Sequence, residues 1–393
     1  MRPLEIASVR QNEYSIWVLQ DRHAKAFEVL SSPVSQRMAR ILGLGAAEAA
    51  PKCLSCHALH VPEAQRGRTF SLNDGVSCEN CHGPASAWLG PHTTKGWTHQ
   101  QSLDLGMYDT KNLASRAEQC LSCHLGTAEK SVDHAMLAAG HPDLYFELDS
   151  FTAVMPPHWS EPASENNWQN ARAWGIGQAV QLRESLRHLE RRARGGAWPE
   201  YAELRCYSCH HALTEPEKSW RQQLGYQGRS PGDPAWNASR YAVFRPLAAM
   251  ADRDTAARLH AEIEQLDKVV SQRSSDRAAV AAAASRAGSL ADSLVARIQA
   301  MPFDRNLVLR LQRQICSQAN EIAGEGQRAA EQAAMALHTL FLADEKNGRS
   351  PRGEELRAAI QQLFQQVRTP ASYRPDSFAA QMKKVQALLD SPR

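Results

Sequence analysis

Cys53-Leu54-Ser55-Cys56-His57, Cys78-Glu79-Asn80-Cys81-His82, Cys120-Leu121-Ser122-Cys123-His124 and Cys206-Tyr207-Ser208-Cys209-His210 share one pattern, C-x-x-C-H. The four stretches take eight of the nine cysteines and leave only Cys316 outside a pair. Two thiols separated by two residues on one turn can each add to a vinyl group on a single porphyrin edge. The next residue then lies beneath the iron, where histidine supplies an imidazole. Zinc ribbons, disulfides and dithiol redox pairs also use C-x-x-C, but none of them needs histidine directly after the second cysteine. With 15 histidines in 393 residues, finding one at all four places by chance is on the order of one in a million. The pattern implies four covalently bound c-type haems. Cys53, Cys56, Cys78, Cys81, Cys120, Cys123, Cys206 and Cys209 are their attachment points, and His57, His82, His124 and His210 their proximal iron ligands.

The same stretches decide the fold. Ser31 to Ala235 is rich in Gly, Pro, Ser and short polar loops and lacks long apolar periods, so flat apolar macrocycles must supply burial that the side chains do not. Ahead of it, Ile16, His23, Phe27 and Leu30 predict a helix over 13–30, and within it Val34 to Leu44 predicts a second one, stopped near Gly43 and Gly45. Ser131 to Ala139 predicts a short helix, and residues 150–170 an irregular loop. Ile176 to Arg194 predicts an amphipathic helix with the stripe Ala179, Leu182, Leu186 and Leu189. Beside it run Arg183, Arg187, Arg191 and Arg194, either a solvated face or partners for haem propionates. Beyond the linker at Gly225 to Pro234 the chain turns Ala- and Gln-rich. Stripes such as Leu259, Ile263, Leu266, Val270 and Leu290, Leu294, Ile298, Met301 predict about four to six bundled helices. The expected fold is therefore mainly α: a loop-rich multihaem domain over 1–232, then an antiparallel helical bundle over 233–393.

A low-spin electron-transfer haem needs a second strong axial ligand, whereas an open face admits substrate. Eleven histidines lie outside the motifs. His23 is the leading candidate, on an apolar face beside small Ala24 and Ala26. His134 and His141, seven residues apart, are candidates as ligands or as capping or propionate-binding groups. His92 follows the second motif in a Gly90-Pro91-His92 loop. His158 and His211 carry less weight, and His60, His99, His188, His260 and His338 read as surface or bundle residues.

Glu13-Tyr14-Ser15-Ile16-Trp17, His23-Ala24-Lys25-Ala26, the Cys53 motif, Gly75-Val76-Ser77-Cys78-Glu79-Asn80-Cys81-His82-Gly83-Pro84, His92 and the Cys120 motif together resemble the cytochrome c-554 family over about residues 13–125. The resemblance implies an electron carrier with closely packed haems, mostly bis-histidine ligated and one open. It implies His23 and His92 as distal ligands and places the open haem at Cys53–His57. The family carries a C-x-x-C-H just before the Tyr-Ser-x-Trp helix. Here Ala7 to Gln11 stand in its place, and the Cys206 motif lies outside the resemblance.

The expected function is electron transfer between redox protein partners. The alternative is a haem enzyme acting on a small nitrogen or sulfur oxyanion at one open iron, although no C-x-x-C-K motif occurs. A helical scaffold is a third reading. The formal charge is +3, and eight ionised propionates with four ferric irons bring the holo-protein to about −1, or about −5 when reduced, which argues against nucleic-acid binding. No apolar run approaches the roughly 18–20 residues that span a bilayer. Attachment of haem to such motifs implies a periplasmic or extracytoplasmic location. Residues 1–30 show no secretory signal, from which a truncated N-terminus is expected.

Overall fold

A computed structural model describes residues 12–159, 168–195, 198–211, 224–226, 229–230, 233–272, 276–348 and 352–391. Ala7 to Gln11, where the family motif would fall, lie outside the described residues, as do parts of the 150–170 loop and of the linker. The chain is mainly α, with no strand among the described residues beyond one isolated bridge between Leu204 and Trp236. It divides into two compact units, Met1–Leu144 with Phe151–Ser164, and Tyr145–Ser150 with Glu165–Arg393.

The first unit is built from short helices: α1 (Glu13–Gln20), α2 (Pro33–Ile41), α3 (Pro51–His57), α4 (Cys78–His82), α5 (His99–Asp104), α6 (Leu113–His124) and α7 (His134–Ala139), with α8 (Leu148–Val154) at the division. The single helix expected over 13–30 is broken. Asp21 is extended, at φ −83° and ψ 129°, and its side chain accepts the His23 N–H, so a new 3₁₀ turn starts at Arg22–Lys25. Pro33 opens α2 behind a Ser32 cap, and Gly140 in the left-handed region closes α7 behind an Asp133 cap. One cluster of its core is Leu30, Ala39, Ala47, Leu54 and Ala58, lined by Phe27, Leu44, Cys53 and Leu72, and Trp17, Trp88, Leu121 and Met136 are buried elsewhere in the unit.

The second unit is a helical bundle: α9 (Gln169–Gly195), α10 (Ser239–Ala242), α11 (Phe244–Ala251), α12 (Arg253–Val270), α13 (Arg277–Ala300), α14 (Arg305–Ser317), α15 (Ala319–Gly324), α16 (Gln327–Lys346), α17 (Gly353–Val367) and α18 (Pro375–Asp390). The division falls well before the 232/233 boundary drawn from composition, because α9 packs along α13 as part of the bundle. The expected α9 stripe is buried, with Leu182, Leu186 and Leu189 facing a row of small residues, Ala284, Ala287, Gly288 and Ala291. Leu294 and Ile298 of the expected stripe are fully buried on α13 with that row, while Leu290 and Met301 are only partly buried. Arg183 is buried and pairs with Glu184 and Asp292, while Arg187 bonds the same two carboxylates, so these arginines belong to the bundle.

Buried carboxylates punctuate this core. Phe146 and Leu148 are buried, and a Cβ on Gly177 would sit 2.6 Å from Leu148 Cβ, so glycine there admits the 145–150 segment. Glu147 accepts the N–H groups of Asp149 (2.9 Å) and Ser150 (2.8 Å) and the Ser150 hydroxyl (2.6 Å). Asp149 accepts the Asn170 amide at 2.9 Å, and burial together with the Glu147 charge pushes its carboxyl up to about 7. From its ordinary 3.8 to about 7 the folded state holds a proton that the unfolded state has released, so this group lowers stability as pH rises through that window. Thermal unfolding of holo-protein at about pH 5 and about pH 8 should therefore show a smaller alkaline loss of Tm in Asp149→Asn than in wild type, because the amide has no proton to lose.

Candidate functional site

A helical turn is what makes C-x-x-C-H work, because positions one, four and five of the motif share one face. Cys53, Cys56 and His57 lie on α3, Cys78, Cys81 and His82 on α4, and Cys120, Cys123 and His124 end α6. In α4 the motif caps itself: Asn80 Oδ1 accepts the Ser77 N–H at 2.8 Å, and Gly83 at φ 76° ends the helix behind His82. No disulfide joins any of the nine cysteines. The Cys56 and Cys123 thiols lie close enough to perturb one another, with Lys130 Nζ 3.8 Å from Cys123 Sγ, so the cysteine pairs of two motifs lie side by side.

The turn after Asp21 ties these motifs together. His23 donates both its backbone N–H and its Nδ1–H to Asp21 Oδ1, each at 2.9 Å. Its carbonyl accepts the Val76 N–H at 3.0 Å, just ahead of the Cys78 motif. The Ala26 carbonyl accepts the Nδ1–H of His57 at 2.9 Å. Trp17 reaches the Val76 carbonyl through its indole N–H at 3.1 Å. Gly75 makes this approach feasible: its φ is +61°, and a Cβ there would lie 2.6 Å from the His23 carbonyl oxygen and 3.0 Å from that of Ala24.

Three motif histidines each face a histidine from elsewhere in this unit. His124 and His23 have ring centres 6.2 Å apart, His57 and His141 6.5 Å, and His82 and His158 6.2 Å, with ring planes between 83° and 89°. Two imidazoles that share a metal from opposite sides, each nitrogen about 2 Å from it, have ring centres about 6 Å apart, so the pairs fit a six-coordinate iron between them. Burial lowers His82 and His124 to about 4, which keeps the imidazoles neutral as metal ligation requires. Among the described residues no group of three or more His, Cys, Asp or Glu side chains is arranged to hold a metal ion unaided.

The expected residues are thus placed unevenly. His23 and His141 stand opposite motif histidines. His92 sits on the 3₁₀ turn Pro91–Thr93, edge-on to Trp88 at 5.7 Å and bonded to the Leu89 carbonyl, while His134 opens α7. His158, given little weight in the sequence, faces His82. It lies in a loop, where no periodicity could flag it. The Cys206 motif forms one 3₁₀ turn, Cys206–Ser208, with the His210 N–H on the Cys206 carbonyl at 2.8 Å. Buried Arg205 anchors that turn within the second unit, bonding the carbonyls of Gly324 (3.0 Å) and Trp236 (3.2 Å) and pairing with Glu325. Asp21 and Arg205 were both missed, since neither belongs to a motif.

The C-x-x-C-H motifs and a segment match to a cytochrome family support a c-type cytochrome, a covalent haem protein of electron transfer. Residues 9–83 match the family described as cytochrome c554 and c-prime, so the segment bearing the first two motifs resembles that family. No curated protein and no solved structure matches the chain. No helix among the described residues is long and apolar enough to cross a membrane.

Gly75→Ala should lower the stability of the first unit by about 1–3 kcal/mol, through both a positive φ and the collision with the His23 turn. Gly45→Ala, at φ +75° but with nothing within 4 Å of the added carbon, isolates the first cause. Unfolding followed by haem absorbance should show the larger loss for Gly75→Ala.

Proposed function

We propose that the protein is a multihaem electron carrier with four covalent haems, passing electrons between redox protein partners outside the cytoplasm. The observation that carries this reading is the set of three histidine pairs at 6.2–6.5 Å. In it Cys53 and Cys56 attach a haem ligated by His57 and His141. Cys78 and Cys81 attach one ligated by His82 and His158, and Cys120 and Cys123 one ligated by His124 and His23. Cys206 and Cys209 hold the fourth, with His210 as its proximal ligand. His92 then braces Trp88 and is not an axial ligand, and His134 ligates none of these three irons.

The haem would supply one-electron Fe(III)/Fe(II) chemistry, and the motif cysteines and paired histidines would hold it and exclude water. An iron ligated on both sides offers no place for substrate. The resemblance to the cytochrome c-554 family implied an open haem at Cys53–His57, and His141 closes that face in this proposal. The oxyanion-enzyme reading keeps only the haem of the Cys206 motif, where Cys206, Cys209 and His210 are exposed. Exposure there equally suits electron exchange with a partner.

A pyridine haemochrome assay on protein matured in a competent host should give four haems per chain, and fewer than three would sink the reading. Cys316→Ser should leave that number unchanged, since Cys316 is fully buried in α14, where burial pushes its thiol up to about 12. His158→Ala should turn one low-spin haem high-spin in the EPR spectrum, while His92→Ala should not. The reverse outcome would restore His92 as the distal ligand.

A further inference from the structure

The three histidine pairs differ most in what holds their Nδ1–H groups. His23 donates to the carboxylate of Asp21 at 2.9 Å, and that carboxylate is only 5% exposed. His57 donates to the neutral carbonyl of Ala26 at 2.9 Å, and His141 to that of Pro142 at 2.8 Å. Among the described residues, the buried Nδ1 atoms of His82 and His158 have no hydrogen-bond partner. A carboxylate acceptor draws the Nδ1 proton away and gives the ring imidazolate character. A more basic ligand stabilises Fe(III) over Fe(II) and lowers the reduction potential. The buried negative charge acts in the same direction, because the oxidised site carries one more positive charge than the reduced one.

We propose that Asp21 is a positioning residue which, through His23, gives the haem of the Cys120 motif the lowest potential in the first unit. The Cys53 haem then lies above it and the Cys78 haem highest. This rests on the histidine pairs proposed above. Each transfer moves one electron from a reduced iron to an oxidised one, with no bond made or broken, so electrons delivered by a redox protein partner run from the Cys120 haem toward the Cys78 haem. Asp21 also caps the Arg22–Lys25 turn. A cap alone has no effect on potential, which separates the two roles.

The test is a potentiometric titration of holo-protein, followed by absorbance and by EPR. In Asp21→Asn, which keeps a turn-capping side chain and a neutral acceptor, the lowest low-spin midpoint should rise while the others hold and the number of low-spin haems stays the same. Asp21→Glu, which restores a carboxylate, should bring that midpoint back toward wild type. An unchanged lowest midpoint in a fully low-spin Asp21→Asn protein overturns the proposal and leaves the ligand assignment standing. Should Asp21→Asn lose haem, Asp21→Ser, another capping residue without charge, is titrated with the same expectation. Haem loss in both would reduce Asp21 to a structural cap and overturn the proposal. His23→Ala tests the underlying pairing separately: if no high-spin signal emerges, His23 is not a ligand, and the failure lies there.

Discussion

Six residues, Asp21 to Ala26, hold the first unit together. Their turn is started by one carboxylate, which accepts two N–H groups from His23, and its carbonyls reach two different motifs, His57 through Ala26 and the approach to Cys78 through His23. Its own histidine faces a third motif at His124. A continuous helix could not do this, because its carbonyls would be spent on its own i→i+4 bonds. Breaking the helix at Asp21 turns the Ala26 carbonyl to His57, and the His23 carbonyl accepts the Val76 N–H beside that of Ala26. The break has a price in helical hydrogen bonds, offset by charge-assisted ones, which are roughly twice as strong as neutral ones.

The two units are stabilised by different means. The bundle buries long rows of Leu, Ile, Val, Phe and Ala from helices of up to 27 residues, an ordinary hydrophobic core. The first unit buries side chains such as Trp17, Leu30, Leu54, Trp88, Leu121 and Met136 on short helices and turns, with alanine at many of its other buried positions. Under the proposed ligation three porphyrins would add apolar surface to this unit, and haem insertion would then be coupled to its folding. The fourth motif is set differently. Arg205 ties it to Gly324, Glu325 and Trp236, so it is carried by the bundle and shares that unit's side-chain core.

Covalent spacing was the most legible layer of the sequence, because C-x-x-C-H is local and its chemistry permits little variation. Bundle stripes such as Leu259, Ile263 and Leu266 were legible for the same reason, a period that burial enforces. The segment resemblance to the cytochrome c-554 family, found again over residues 9–83, was carried by the same local runs. What could not be read depends on contacts remote in sequence. His158 stands 76 positions from His82 in a loop without periodicity, and only the folded chain brings them to 6.2 Å. Asp21 looked like one more polar residue in a helix, because a cap is recognised only once the break is known. Composition put the boundary near 232, since Gly and Pro mark loops. Yet α9, from Gln169 to Gly195, already belongs to the bundle by packing.

The axial pairs bear on function through what stays constant during a redox cycle. Under the proposed ligation each iron keeps two imidazoles in both oxidation states, held by α3, α4, α6, the Asp21 turn and the segments bearing His141 and His158. Little has to move when an electron arrives, and no coordination site opens for a small molecule. An enzyme needs the opposite, an iron that exchanges a ligand at every turnover. Second-shell hydrogen bonds remain the main way for such closed sites to differ from one another. Among the described residues they are graded from carboxylate to carbonyl to no partner, at the three histidine pairs that the proposal assigns to iron. Closed irons with graded surroundings suit directed conduction better than catalysis.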